Sequence, residues 1–160
     1  MKEIIYIVGD ATTPIGNGIK IIAHICNDVG CWGSGFVIAI SKKWSCPEKK
    51  YRKWYYDRER NPFVLGKVCL VKVENDIFVA NMIGQRGITY KPHSSPPIRY
   101  EAVRDCLNIL RSHAQSLNAT IHMPRIGCGL AGGRWDMIEP IIQEELSNHN
   151  ISVTIYDLPQ

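Results

Sequence analysis

No apolar run in the chain approaches the roughly 20 residues that a membrane-spanning helix requires. None of its 160 residues is therefore expected to enter a bilayer. The first apolar stretch, Ile4 to Val8, meets Asp10 almost at once and is too short for a signal-peptide core. The six cysteines at 26, 31, 46, 69, 106 and 128 include no CxxC pair, and nothing points to an oxidising compartment. Cys69 and Cys106 sit among apolar neighbours and read as small buried hydrophobes. The histidines at 24, 93, 113, 122 and 149 lack zinc-ligand spacing, so neither a metal nor a cofactor is expected. Internal repeats and linker-like stretches are missing too. The composition, 45% hydrophobic and 21% charged, excludes collagen-like, low-complexity and disordered classes. One cytoplasmic domain spanning residues 1–160 is the expectation, since a single core commonly serves roughly 100–200 residues.

What charge imbalance exists is local. Between Lys42 and Arg60 there are eight Lys/Arg against three Asp/Glu, more than the whole net charge of +4. Trp44, Tyr51, Trp54, Tyr55 and Tyr56 lie in the same segment. Basic residues interleaved with aromatics suit single-stranded nucleic acid, through phosphate pairing and base stacking, so a weak contact through 42–60 is one expectation. An amphipathic helix with its aromatic stripe inward and its basic face solvated is preferred, because Tyr51 and Trp54 are spaced as on one helix face.

Strand-type runs occur at Lys2 to Val8, Ile19 to Cys26, Lys67 to Val73, Ile77 to Ile83, Ile121 to Met123 and Ile151 to Tyr156. The third and fourth read as a hairpin through Glu74-Asn75-Asp76. Helices are expected from Phe36, after Pro47, from Pro96-Pro97 and from Trp135, with Pro140 confined to the first turn of the last. In the third helix Val103, Cys106, Leu107, Leu110, Ala114 and Leu117 form one apolar stripe. Gly84 to Pro97 is a long loop of the kind often functional or mobile. Alternating strands and helices predict an α/β sandwich with a mixed sheet.

Two glycine-rich loops, Asn27 to Gly35 and Gly127 to Gly133, each follow a buried strand and precede a helix. That arrangement aims backbone N–H groups and a positive helix end at an anion. Gly127-x-Gly129-x-x-Gly132 matches the dinucleotide fingerprint, yet only 28 residues follow it and Ser152 stands where an acidic residue is needed. Neither loop runs into Gly-Lys-Ser/Thr, which excludes a P-loop.

Several pieces, taken in order, carry a resemblance. They are Gly9-Asp10-Ala11 after the first strand, Cys26-Asn27 running into Gly30-Cys31-Trp32-Gly33-Ser34-Gly35-Phe36, and Met123-Pro124-Arg125-Ile126-Gly127-Cys128-Gly129-Leu130, closed by Tyr156-Asp157-Leu158. The chain resembles a macrodomain over nearly its whole length. It is most similar to the branch of terminal ADP-ribose–glutamate hydrolases and ADP-ribose-1''-phosphate phosphatases. The resemblance implies a three-layer α/β/α sandwich with a central mixed β-sheet, and an ADP-ribose pocket across the carboxyl ends of the strands. Its ligand contacts would come from Gly9, Asp10, Ala11 and Asn27, from Gly33, Ser34, Gly35 and Phe36, from Ile126, Gly127, Cys128, Gly129, Leu130 and Ala131, and from Tyr156. Chemically, Asp10 suits the adenine amine, while glycines let the backbone approach the diphosphate. Arg125 reads as a partner of nearby carbonyls.

In the glutamate-hydrolase relatives a lysine after the hairpin strand and an aspartate in the second loop carry the chemistry. Here those stretches read Ile83-Gly84-Gln85-Arg86 and Leu130-Ala131-Gly132-Gly133, so both groups are missing. Asn27 and Gln85 remain as candidates to orient a water or bind ribose hydroxyls, although neither is a base at neutral pH. Asp136 is the nearest carboxylate, with helix capping its preferred role. His24 reads as a satisfied core histidine. Cys128, near a helix start, reads as a packed residue rather than a lowered-pKa thiol. The expected activity is hydrolysis of ADP-ribosyl linkages, either removal of mono-ADP-ribose from acidic side chains of ADP-ribosylated protein or cleavage of a related ADP-ribose ester or phosphate. A non-catalytic ADP-ribose reader and a nucleic-acid binder are the alternatives.

Overall fold

The computed structural model describes residues 1–88 and 95–160. The interior of the Gly84 to Pro97 loop, including His93, lies outside the described residues. Among the described residues, six strands form one sheet: β1 (Ile5–Val8), β2 (Lys20–Asn27), β3 (Val68–Glu74), β4 (Ile77–Gln85), β5 (Thr120–Met123) and β6 (Val153–Asp157). Their order is β1-β6-β5-β2-β4-β3. Every neighbouring pair is parallel except β3 with β4, which makes the sheet mixed.

Helices cover both faces. On one side α1 (Phe36–Lys43) and α2 (Cys46–Tyr56) enclose a cluster with Ile22, Ile40, Tyr51, Trp54, Phe63, Val79 and Ile83. On the other, α3 (Tyr100–Leu117) and α4 (Trp135–Glu145) enclose Ile21, Ala80, Met82, Leu107, Leu110, Ile121, Ile138 and Ile155. Such double coverage explains why β2 and β4 are near-continuous apolar runs: a central parallel strand buries both of its faces. It also explains the α3 stripe, whose Val103, Cys106, Leu107, Leu110 and Ala114 are all buried. No helix among the described residues is long and apolar enough to cross a membrane.

The aromatic stripe of α2 turns inward. Tyr51 and Trp54 are buried, whereas Tyr56 is 84% exposed and the basic residues form surface pairs such as Arg52–Glu48 and Lys53–Asp57. Two sequence expectations need correction. Helix α3 begins at Tyr100 rather than at Pro96-Pro97, because the Arg86 N–H donates to the Pro97 carbonyl and Ile98 bridges to Gln85. Pro140 lies inside α4 rather than in its first turn. Pro140 and Asp136 are both exposed, so water can serve the Asp136 carbonyl that the missing N–H leaves open.

Candidate ligand cleft

Five parallel strands end at the same sheet edge. After β2 the chain crosses to α1 on one face, and after the adjacent β5 it crosses to α4 on the other. Neighbouring strands whose connections diverge leave a crevice outside their carboxyl ends, the position where open α/β sheets hold ligands. A cleft of about 400 Å³ lies there. One wall is Asn27, Cys31 and Gly33 to Val37; the other is Pro124 to Gly127 with Gly129 to Ala131; His24, Ile25, Cys26, Gln85 and Ile88 complete the lining.

The first wall ends at a helix N-terminus. Gly35 caps α1 at φ +79° with no side-chain cap, and no acidic residue occupies the first turn. Phe36 and Val37, which carry the first helical N–H groups, line the cleft. Roughly half a positive charge resides at such an end. The loop before it is held by side chains. Asn27 Oδ1 accepts from the amides of Val29 and Cys31, each at 3.1 Å, while its Nδ2 donates to the Cys31 carbonyl at 2.8 Å.

The second wall is held mainly by its own backbone, with the Ile98 amide also donating to the Ala131 carbonyl at 3.1 Å. Gly127 and Gly132 adopt φ +73°, and the Gly133 amide donates to the Gly127 carbonyl at 2.7 Å. A Cβ on Gly133 would stand 2.4 Å from that carbonyl oxygen, so only glycine fits. Gly33 and Gly129 differ: a Cβ at either meets nothing within 4 Å, leaving the ligand side open.

The polar candidates come together in part. Register pairs Asn27 with Gln85 across β2 and β4, through a bulge after Cys26 that skips Gly84. Gln85 Nε2 donates to the Gly87 carbonyl at 2.8 Å, and Gly87 N–H reaches Asp28 Oδ1 at 2.8 Å. With Asn27 Oδ1 already accepting from two amides, neither side chain is arranged to take a proton from water. Asp136 does not line the cleft; it lies one residue into α4 and pairs with Arg134 at 2.6 Å, while the N-cap is Arg134. Cys128 also lies outside the lining, and burial raises its thiol pKa, so it is no activated nucleophile.

Gly9, Asp10, Ala11 and Tyr156 are placed beyond the cleft, by the outer strands β1 and β6. Asp10 Oδ1 accepts from the Thr12 amide and hydroxyl, both at 2.8 Å. Lys43 braces that turn from α1, at 2.6 Å from the Thr12 carbonyl and the Thr13 hydroxyl. Tyr156 is buried: its hydroxyl accepts from the Ile15 amide at 3.0 Å and lies 2.7 Å from His122 Nδ1.

His24 forms part of the cleft floor, with Nε2 2.6 Å from Asn81 Oδ1. Burial lowers its pKa to about 4, against a smaller upward pull from that bond, so the ring is neutral at pH 7. Arg125 is the cleft feature that sequence reading misjudged. It pairs bidentately with Asp157, at 2.8 and 3.1 Å, rather than with carbonyls. Its guanidinium carbon lies 5.2 Å from the ring centres of Tyr6 and Trp135. Tyr6, in turn, accepts from Trp135 Nε1 at 2.9 Å and bonds Glu139, and burial leads in raising its hydroxyl pKa to about 12. The signal was present in sequence as a Tyr, a Trp and an Asp, but far apart along the chain.

A three-layer α/β/α domain with an anion-suited crevice at its switch point is thus defined. Comparison with known proteins supplies the family. A Streptomyces coelicolor macrodomain protein is 49% identical, with a TM-score of 0.87 over 97% of this chain and 99% of that one. The chain belongs to the macrodomain family. A Bacteroides thetaiotaomicron protein of unknown function is 57% identical, with a TM-score of 0.94 over 98% and 99% of the two chains. Among curated relatives, an ADP-ribose 1''-phosphate phosphatase of Lodderomyces elongisporus is 24% identical over 95% of this chain and 98% of its own length. The Bos taurus ADP-ribose glycohydrolase OARD1 is 31% identical over 58% of this chain and 57% of its own. No protein-family model matches.

Proposed function

We propose that the cleft binds ADP-ribose and that the protein hydrolyses an ester linkage carried on the distal ribose at C1''. The observation that carries this reading is the pair of facing walls, each presenting backbone toward a crevice of nucleotide-fragment size. The diphosphate lies between Gly127 to Ala131 and the α1 N-terminus, held by N–H groups and the helix end rather than by lysines. The adenine extends toward Asp10, whose second carboxylate oxygen accepts from the exocyclic amine. The distal ribose then sits by Asn27 and Gln85, where Asn27 keeps one amide hydrogen for a hydroxyl. Water is the co-substrate. From an acyl ester it releases ADP-ribose and a carboxylic acid; from ADP-ribose 1''-phosphate it releases ADP-ribose and inorganic phosphate. The names of the phosphatase and glycohydrolase relatives favour this class of reaction.

A specific observation favours a second reading, a module that binds ADP-ribose without turning it over. Among the described residues, no carboxylate and no lysine lines the cleft. Incubation with glutamate-ADP-ribosylated protein and with ADP-ribose 1''-phosphate separates the two. Release of ADP-ribose from either supports the hydrolase; saturable ADP-ribose binding without release from both leaves the reader.

A further inference from the structure

The basic, aromatic segment singled out in the sequence faces away from solvent where it matters, and its buried side ends at the cleft. Tyr51 is fully buried in α2, with its hydroxyl 2.7 Å from the Asn27 carbonyl oxygen and 2.8 Å from Asn27 Oδ1. It donates its proton between these two acceptors, and burial keeps the hydroxyl protonated by pushing its pKa up. The same Oδ1 takes the Val29 and Cys31 amides, so one phenol reaches the whole 27–31 loop through a single side chain.

One turn further along α2, Tyr55 presses on the loop. Gly30 has φ +74°, and a Cβ there would stand 2.5 Å from the Tyr55 ring. The Arg58 guanidinium carbon lies over the same ring, 4.2 Å from its centre. Arg52 donates to the Trp32 carbonyl at 3.3 Å, and the Trp32 and Tyr51 rings stand 5.4 Å apart. The floor is tied to the same helix, because Asn81 bonds His24 on one side and the Pro47 carbonyl on the other.

We infer that α2 is the positioning element of the cleft, with Tyr51 and Tyr55 as positioning residues that set the 27–31 loop for the distal ribose. This inference rests on the ADP-ribose reading and adds a role for a segment whose charge suggested nucleic acid. The Tyr51 hydroxyl bonds Asn27, where β2 runs into the loop, so its removal acts there first.

The test is Tyr51→Phe, which keeps the ring against Trp32 and Phe63 and deletes one oxygen. Amide hydrogen exchange of Val29 and Cys31 is expected to accelerate roughly tenfold, as a buried acceptor loses its donor. ADP-ribose affinity is expected to fall roughly tenfold while affinity for ADP, which lacks the distal ribose, changes by less than about twofold. Unchanged exchange at both amides overturns the inference, as does an equal loss for ADP and ADP-ribose. Failure of wild-type protein to bind ADP-ribose overturns the functional reading instead, and is visible before any variant is compared. Should Tyr51→Phe not fold, Tyr55→Leu provides the same comparison, with the Tyr51 hydroxyl retained and the ring lifted from Gly30.

Discussion

The two walls of the cleft present backbone to the same space by different means. Asn27 to Gly35 is held from behind by side chains: Asn27 Oδ1, the Tyr51 hydroxyl and the Tyr55 ring. Gly127 to Gly133 is held mainly by its own backbone, through positive φ and the Gly133–Gly127 hydrogen bond, with one outside bond from the Ile98 amide to the Ala131 carbonyl at 3.1 Å. The difference teaches that the two backbone-lined walls of one cleft do not need one kind of loop. A side-chain-braced wall spreads its determinants over a distant helix, while a self-braced wall concentrates them in two or three glycines.

The largest expected effect should break the self-braced wall. Gly127→Val forces a β-branched residue into φ +73° with its Cβ 2.6 Å from Ile98 Cδ1. A loss on the order of 3 kcal/mol of stability is expected, read by urea unfolding, together with loss of ADP-ribose binding. Gly129→Val is the contrasting variant: its Cβ meets open space, so stability should change by less than about 0.5 kcal/mol while affinity falls at least roughly tenfold. Equal destabilisation by both substitutions would show that the wall is not held as described.

Acid should weaken the strand beneath each wall. His24 in β2 and His122 in β5 both have pKa values lowered to about 4, chiefly by burial. A lowered folded-state pKa means that the unfolded chain binds more protons, so the stability is present above the unfolded value near 6.5 and is lost as pH falls from there toward 4. Going from pH 7.5 to 5.5 should cost roughly 1 kcal/mol per histidine. His24→Gln should remove about half of that pH dependence, as measured by unfolding at the two pH values.

The smallest effect concerns the cation at the cleft. Asp157→Asn removes the carboxylate that pairs with Arg125, and burial of neither group is deep. ADP-ribose binding should tighten by no more than roughly threefold, and only at low salt, since an exposed pair is screened. A large gain would mean that Arg125, not backbone, dominates anion binding.

Much of the fold was legible because each element carries a local signature. The β2 and β4 runs, the α3 stripe and the hairpin turn at Asn75-Asp76 follow from periodicity and turn chemistry. Boundaries failed where a long-range contact intervened, as at Pro96-Pro97, whose carbonyls serve Arg86, just past β4, and Arg99 before α3 can start. Glycine loops were legible as loops, and Asn27 and Gln85 as neighbours of the cleft. Invisible from sequence were pairings between distant residues: Tyr51 with Asn27, Arg125 with Asp157, and Lys20, buried at the opposite sheet edge, with Asp76. Local pattern does not encode such pairs; the strand order and the packing of helices on the sheet bring them together.

The cleft separates two hydrophobic clusters, one behind each wall, with the sheet as their shared partition. Among the described residues, β2 and β4 supply side chains to both clusters, Ile21 and Met82 to one and Ile22 and Ile83 to the other. A molecule spanning both walls therefore acts as a strap between the layers packed on the two faces of the sheet. Its binding free energy is added to the folded state as RT ln(1 + [L]/Kd), about 2.7 kcal/mol at a hundredfold excess over Kd. Because it touches both halves, that increment suppresses partial opening of either layer, so occupancy should sharpen the unfolding transition as well as raise it.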